Sequence, residues 1–184
     1  MATMNAEQVT VGAAAATGAI FVAPLTASLP TDATTALGSD FALLGFTSDA
    51  GVTISESGNT QSIYAWEGRT EVYTTKTEYT EQISFTPIQC NADVAKLTWG
   101  DDMVIVGSNG ALTAKHHGKT MEPVLIVIET TPREGIVKRF CQKSQLTERG
   151  EQTMDGTQVD GRQLTFNNLA DANGVTCYEY TAFN

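Results

Sequence analysis

Between Tyr79 and Thr86 apolar and polar side chains alternate, with Ile83 and Phe85 set between Gln82, Ser84 and Thr86. A period of two puts successive side chains on opposite faces, so this segment is a strand with one buried and one wet face. Residues 70–77 form the strand before it, where Val72 sits between Glu71 and Tyr73, and Pro87 closes the pair. Such patterns dominate the chain. Segments at residues 103–106 and 111–114 flank Ser108–Asn109–Gly110, an Asn-Gly hairpin signal. Val124, Leu125, Ile126, Val127 and Ile128 form an unbroken apolar run, which fits a strand buried on both faces. Residues 136–142, 145–151, 158–166 and 175–182 read as further strands, and 18–22, 41–46 and 52–55 as shorter ones.

One helix stands out. Asn91 suits an N-cap, Asp93 lies near the positive end and Gly100 is the stop, with Val94 and Leu97 facing the core. Many short strands and a single helix predict a mainly β fold, a β-sandwich or barrel with one short flanking α-helix. At 184 residues the chain suits one domain spanning 1–184. Twenty-seven threonines agree, since threonine is β-branched and offers a hydroxyl to a wet face.

Two segments fall outside this pattern. Residues 1–15 read as a flexible arm ending in small side chains. Such an arm is ordered only if something holds it, and a neighbouring copy is the expected clamp. Residues 56–68 show no period and read as a long loop carrying Tyr64 and Trp66. A loop of this length is either an interaction arm or a surface loop that packs Trp66 back onto the core.

The net charge is −10, from 21 acids and 11 bases, which gives no support to a surface built to grip nucleic acid, though an acidic chain can sit beside DNA without sticking to it. The uncharged stretch 8–31 lacks the basic flank of a secretory signal, and glycines and Pro24 break it as a membrane span. Cys90, Cys141 and Cys177 make neither a CxxC pair nor an even framework, so they are expected to be reduced thiols of a cytoplasmic fold. His116 and His117 are adjacent and would point to opposite strand faces, which argues against a shared metal. Gly118–Lys119–Thr120 lacks the upstream glycine of a phosphate loop, where Thr113 stands instead. Asp101 and Asp102 read as solvated turn residues. The expectation is therefore a chain with no catalytic site, no cofactor and no metal.

The segment Leu44–Gly45–Phe46–Thr47–Ser48–Asp49–Ala50–Gly51–Val52–Thr53 is followed by Ile63–Tyr64–Ala65–Trp66–Glu67–Gly68. A threonine-rich strand pair comes next, then Asn91–Ala92–Asp93–Val94 opening a helix before Trp99–Gly100. In this order residues 37–100 resemble the major tail proteins, or tail tube proteins, of long-tailed non-contractile phages. Residues 123–184 are similar to that family's second half. Glu67 stands where the family pattern carries glycine. The resemblance implies a virion structural protein of the tail, a sandwich or barrel of the tail tube type. It further implies stacked hexameric rings forming a tube for genome delivery. The implied partners are other copies, a tape-measure protein in the lumen, tail terminator and distal tail proteins, and DNA in transient passage, with assembly in the host cytoplasm and no membrane.

An acidic lumen would repel phosphates and let DNA slide. Glu71, Glu78, Glu81, Gln82 and Ser84 of the strand pair 70–86 are the candidates for lining it, with a solvated outer face as the other possibility. Tyr64 and Trp66 are the candidate subunit contacts. Against this stand a head decoration or other phage structural sandwich protein, and a ligand-binding β-sandwich module.

Overall fold

The computed structural model describes residues 4–6, 9–15, 18–133 and 135–183. Its strands are β1 (Ile20–Ala23), β2 (Ala42–Leu43), β3 (Thr47–Tyr64), β4 (Glu71–Pro87), β5 (Val104–Val106), β6 (Leu112–Ala114), β7 (Val124–Arg133), β8 (Ile136–Gln152), β9 (Arg162–Asn168) and β10 (Cys177–Phe183). The helix α1 spans Ala92–Trp99, and a single 3-10 turn follows at Asp101–Met103. The protein is mainly β, as its alternation predicts.

The apolar run becomes the inner strand β7, where Leu125, Ile126, Val127 and Ile128 are all buried. It is flanked by β1 and β8. Eight strands join in one antiparallel sheet ordered β2-β1-β7-β8-β9-β4-β3, while β10 pairs with β8 off this path. The strand β8 accommodates two neighbours on one edge in succession. Its first half pairs with β10 and its second half with β9, so the two separate segments expected at 136–142 and 145–151 are one strand.

Ile20, Ile83, Phe85, Ile126, Ile128, Leu146, Leu164 and Phe166 meet in one core cluster with Leu44 and Leu97. Residues from β1 and β4 lie far apart in strand order, so the sheet curls until they share one core. Phe85 stacks on Phe166 with ring centroids 5.5 Å apart. The helix closes the concave side through buried Leu97, with Val94 packed beside it. Its N-cap is Asn91, whose Oδ1 accepts from the Val94 N–H at 2.8 Å. Gly100 terminates it at a φ of 94°, a left-handed value open to glycine. The β5–β6 hairpin forms a separate two-stranded sheet around the expected Asn109–Gly110 turn.

The loop expected at 56–68 is corrected by the structure. Residues through Tyr64 belong to β3, which pairs with β4 from Thr47↔Pro87 to Tyr64↔Glu71. The N-terminal arm is also partly held by its own chain. Ala14 bridges to Thr130, and the Thr131 N–H donates to the Ala13 carbonyl at 2.9 Å. The remainder of the expected arm includes residues 1–3 and 7–8, which lie outside the described residues.

Candidate functional site

The hairpin β3–β4 outruns its sheet. Only Gln82, Ile83, Ser84 and Phe85 of β4 pair with β9. Beyond Glu56↔Glu81 the two strands continue as a ribbon with nearly every side chain exposed. An isolated two-stranded ribbon is marginal in water and needs further contacts to gain much stability. Cross-strand polar bonds reinforce it: Asn59 Nδ2 donates to Glu78 Oε2 at 2.7 Å, and Ser62 Oγ donates to Glu71 at 2.9 Å. Glu71 also accepts from the Thr74 hydroxyl, and these two bonds, Thr74's first, hold its carboxyl below the usual range.

Two register shifts interrupt the ribbon and reverse the facing of residues 73–76 alone. Asn59 pairs with Glu78 and Thr60 with Lys76, which leaves Thr77 as an extra residue in β4. A second shift between Ile63 and Tyr64 leaves Val72 extra. Outside that stretch plain alternation holds, and Glu78, Gln82 and Ser84 share one face with Ser55, Ser57 and Asn59. Glu71 and Glu81 lie on the other, with Tyr64, Ile83 and Phe85. The five expected lumen residues therefore do not form one surface. Glu81 is buried at 6% exposure, and the Thr176 hydroxyl donates to it. Gln82 Nε2 donates to Asn167 Oδ1 at 2.7 Å across the β4–β9 pair.

At the tip the Ala65 N–H donates to the Thr70 carbonyl at 2.8 Å. Gly68 and Arg69 turn the chain with φ of 66° and 53°. For Arg69 this left-handed backbone is uncommon and costs energy that the turn must repay. Trp66 stands at the tip with 95% exposure, so it does not pack back on the core. Tyr64 is half exposed beside it, as are Ile63, Val72 and Tyr73.

At the opposite end of the hairpin lies an apolar groove of about 620 Å³. Its wall includes Val11 from the N-terminal segment, Leu43 from β2, Phe46, and Val52 and Ile54 at the start of β3. Phe140 and Ile128 form part of its lining from β8 and β7. Among the described residues Lys138 is the single charged side chain lining it, paired with Glu179 at 3.4 Å. Sequence reasoning missed this groove because its lining comes from five separate segments, none with a motif of its own.

The remaining candidates have structural roles. His116 stacks on Trp99 with centroids 3.8 Å apart and an angle of 9°. The ring nitrogen Nε2 of His117 bonds the Trp99 carbonyl oxygen. Both follow β6 rather than lying in a strand. Arg149 and Arg162 approach the same indole at 4.8 and 5.4 Å. Burial, then the neighbouring Arg162, pulls the Arg149 pKa below its ordinary value. The three cysteines are free, and burial pushes Cys141 and Cys177 up to about 12. Among the described residues no group of His, Cys, Asp or Glu could hold a metal, and no helix is long and apolar enough to cross a membrane.

A curled antiparallel sheet that projects an aromatic-tipped hairpin and, among the described residues, leaves the outer edge of β3 unpaired defines a β-rich protein with surfaces suited to association. A family model described as phage tail tube protein matches residues 2–182. The chain belongs to the phage tail tube proteins, a structural component of the virion tail. That membership implies self-association into a tube and contact with other tail proteins. No curated protein matches the chain.

Proposed function

We propose that copies of this chain close into hexameric rings, and that the rings stack into a tube that conducts the genome. The observation that carries this reading is the edge of β3. It pairs only with β4 among the described residues, leaving an 18-residue strand with its outer side open. Monomers blunt such edges with short strands, lysines, prolines, bulges or charges. The strand β3 is long and has no lysine or proline, and its bulge between Thr47 and Val52 and the acids Asp49 and Glu56 leave residues 57–64 unguarded. An edge that pairs with a different edge on the next copy makes a heterologous contact, which closes into a ring when the rotation permits. The number six comes from the resemblance to siphophage tail tubes. The same resemblance supplies a tape-measure protein in the lumen, tail terminator and distal tail proteins at the ends, and assembly in host cytoplasm. Tyr64 and Trp66 are the proposed subunit contacts.

For the lumen wall the proposal is narrowed to the face of Glu78, Gln82 and Ser84. Its neighbours Ser55, Ser57 and Asn59 add hydroxyls and an amide. With Glu71 and Glu81 on the other face, the wall is chiefly neutral and polar, with one acid per copy from Glu78. Six copies repeat that acid around the ring, and repulsion of phosphates reaches about 8 Å at physiological salt. Glu78→Lys is expected to leave the monomer fold unchanged and slow DNA ejection from assembled tails. An assembled tube with Glu78, Gln82 and Ser84 on its outer surface would refute the lumen assignment.

A further inference from the structure

The exposed tip and the apolar groove belong to one chain, yet neither can satisfy the other within it. The groove includes Ile54, and the tip follows Tyr64. The intervening strand places the tip roughly 35 Å beyond the groove, at about 3.4 Å per residue. Pairing persists to Tyr64↔Glu71, so the ladder keeps the tip from folding back. A groove of this kind calls for an occupant from outside the chain's own hairpin.

We propose that the groove of one copy receives the hairpin tip of the next, with Trp66 as the inserted side chain. This rests on the self-assembly reading above and names the acceptor surface within it. Three observations favour a second copy as occupant. First, the surfaces match in chemistry. Trp66 is 95% exposed, and on the acceptor side Val11 and Phe46 are about 70% exposed. An exposed indole and an exposed apolar wall each gain by leaving water, and tryptophan is a frequent anchor of such contacts. Second, charge is complementary. The tip carries Glu67 and Glu71 against Arg69, and the groove carries Lys138. The Lys138–Glu179 pair is half-buried and spans 3.4 Å with no second partner for the ammonium among the described residues, so the lysine can also face a second acid.

Third, the reach suits a propagating contact. Tip and groove are different patches of the molecule, so their pairing does not close on itself between two copies. Each step displaces the next copy by roughly 35 Å along the hairpin direction. One tip buries less than the roughly 800 Å² per partner of a stable pair. Copies held together in a ring engage several tips at once, and linked contacts reinforce one another.

The test uses the full chain with Cys90→Ser. Glu67→Cys, which keeps Trp66, and Val11→Cys are made in separate chains, mixed under assembly conditions and oxidised. A disulfide between the two chains is expected, and none between Glu67→Cys and a Val159→Cys control, whose site is exposed in a different loop. In parallel, Trp66→Ala is expected to raise the critical concentration for assembly by at least about tenfold, the usual cost of losing an anchor. Polymers that form without the Glu67→Cys to Val11→Cys link, or that link to Val159→Cys instead, overturn this inference and leave self-assembly standing. An unchanged critical concentration for Trp66→Ala likewise overturns it. Wild-type protein that forms no polymer overturns both readings together.

Discussion

Asp32 and Asp171 each organise a loop by accepting several donors at once. The Thr35 hydroxyl, then the Thr35 and Thr34 N–H groups, hold the Asp32 carboxyl down at about 2. For Asp171 the Tyr178 hydroxyl contributes most, followed by the Val175 N–H, and its value is again about 2. Both carboxyls are depressed from 3.8, so the stability they contribute is full above about pH 4 and lost as pH falls toward 2. Replacing both by Asn is expected to flatten the acid dependence of the urea midpoint between pH 4 and pH 2. An unchanged slope would refute the assignment. The Asp32 loop also positions a buried cation. Arg139 is 4% exposed and donates to the carbonyls of Asp32 and Thr35 at 2.8 and 2.9 Å while pairing with Glu129. Arg139→Ala strands the partners of that buried charge and is expected to cost about 3–5 kcal/mol in chemical denaturation. Nothing in the sequence marks Arg139 out, because the carbonyls of Asp32 and Thr35 that complete its shell lie about a hundred residues away.

At the scale of elements, alternation made β4 and β9 legible and the apolar run made β7 legible, since in each a core dictates which positions are greasy. Capping made α1 legible through Asn91 and Gly100. The strand β3 was only partly legible for the converse reason. Beyond Ile54 both of its faces meet water, so no burial imposes a period, and Glu56, Gly58 and Thr60 read like a loop. The signal that remained was weak: Thr53, Ser55, Ser57, Asn59 and Gln61 are polar at every second position. Register shifts in β4 were equally hidden, but they reverse only residues 73–76; that Glu71 and Glu81 lie opposite Glu78, Gln82 and Ser84 follows from plain alternation and was legible. The ribbon contributes nothing to the core cluster. Replacing residues 57–80 by Asn-Gly, which joins the paired Glu56 and Glu81 by a tight turn, is expected to preserve the folded monomer in thermal melts. The same variant is expected to fail to polymerise by sedimentation. Tubes of ordinary length from it would show that the ribbon is dispensable.

The whole molecule joins a stable core to surfaces that are costly to leave alone. Its core resembles that of any β domain, yet among the described residues it keeps an 18-residue edge, a projecting aromatic tip and an apolar groove open to water. A net charge of −10 keeps single copies soluble and disfavours lasting contact with DNA. The family order of motifs was readable in the chain, but the groove was not, because it exists only after distant segments fold together. All three surfaces acquire a purpose when copies associate, and association is therefore the central claim. Electron microscopy of negatively stained purified protein over a rising concentration series tests it most directly. The account predicts rings at intermediate concentration and hollow, regularly banded tubes above a threshold. Dispersed monomers at every concentration, including in the presence of the tape-measure protein, would contradict it.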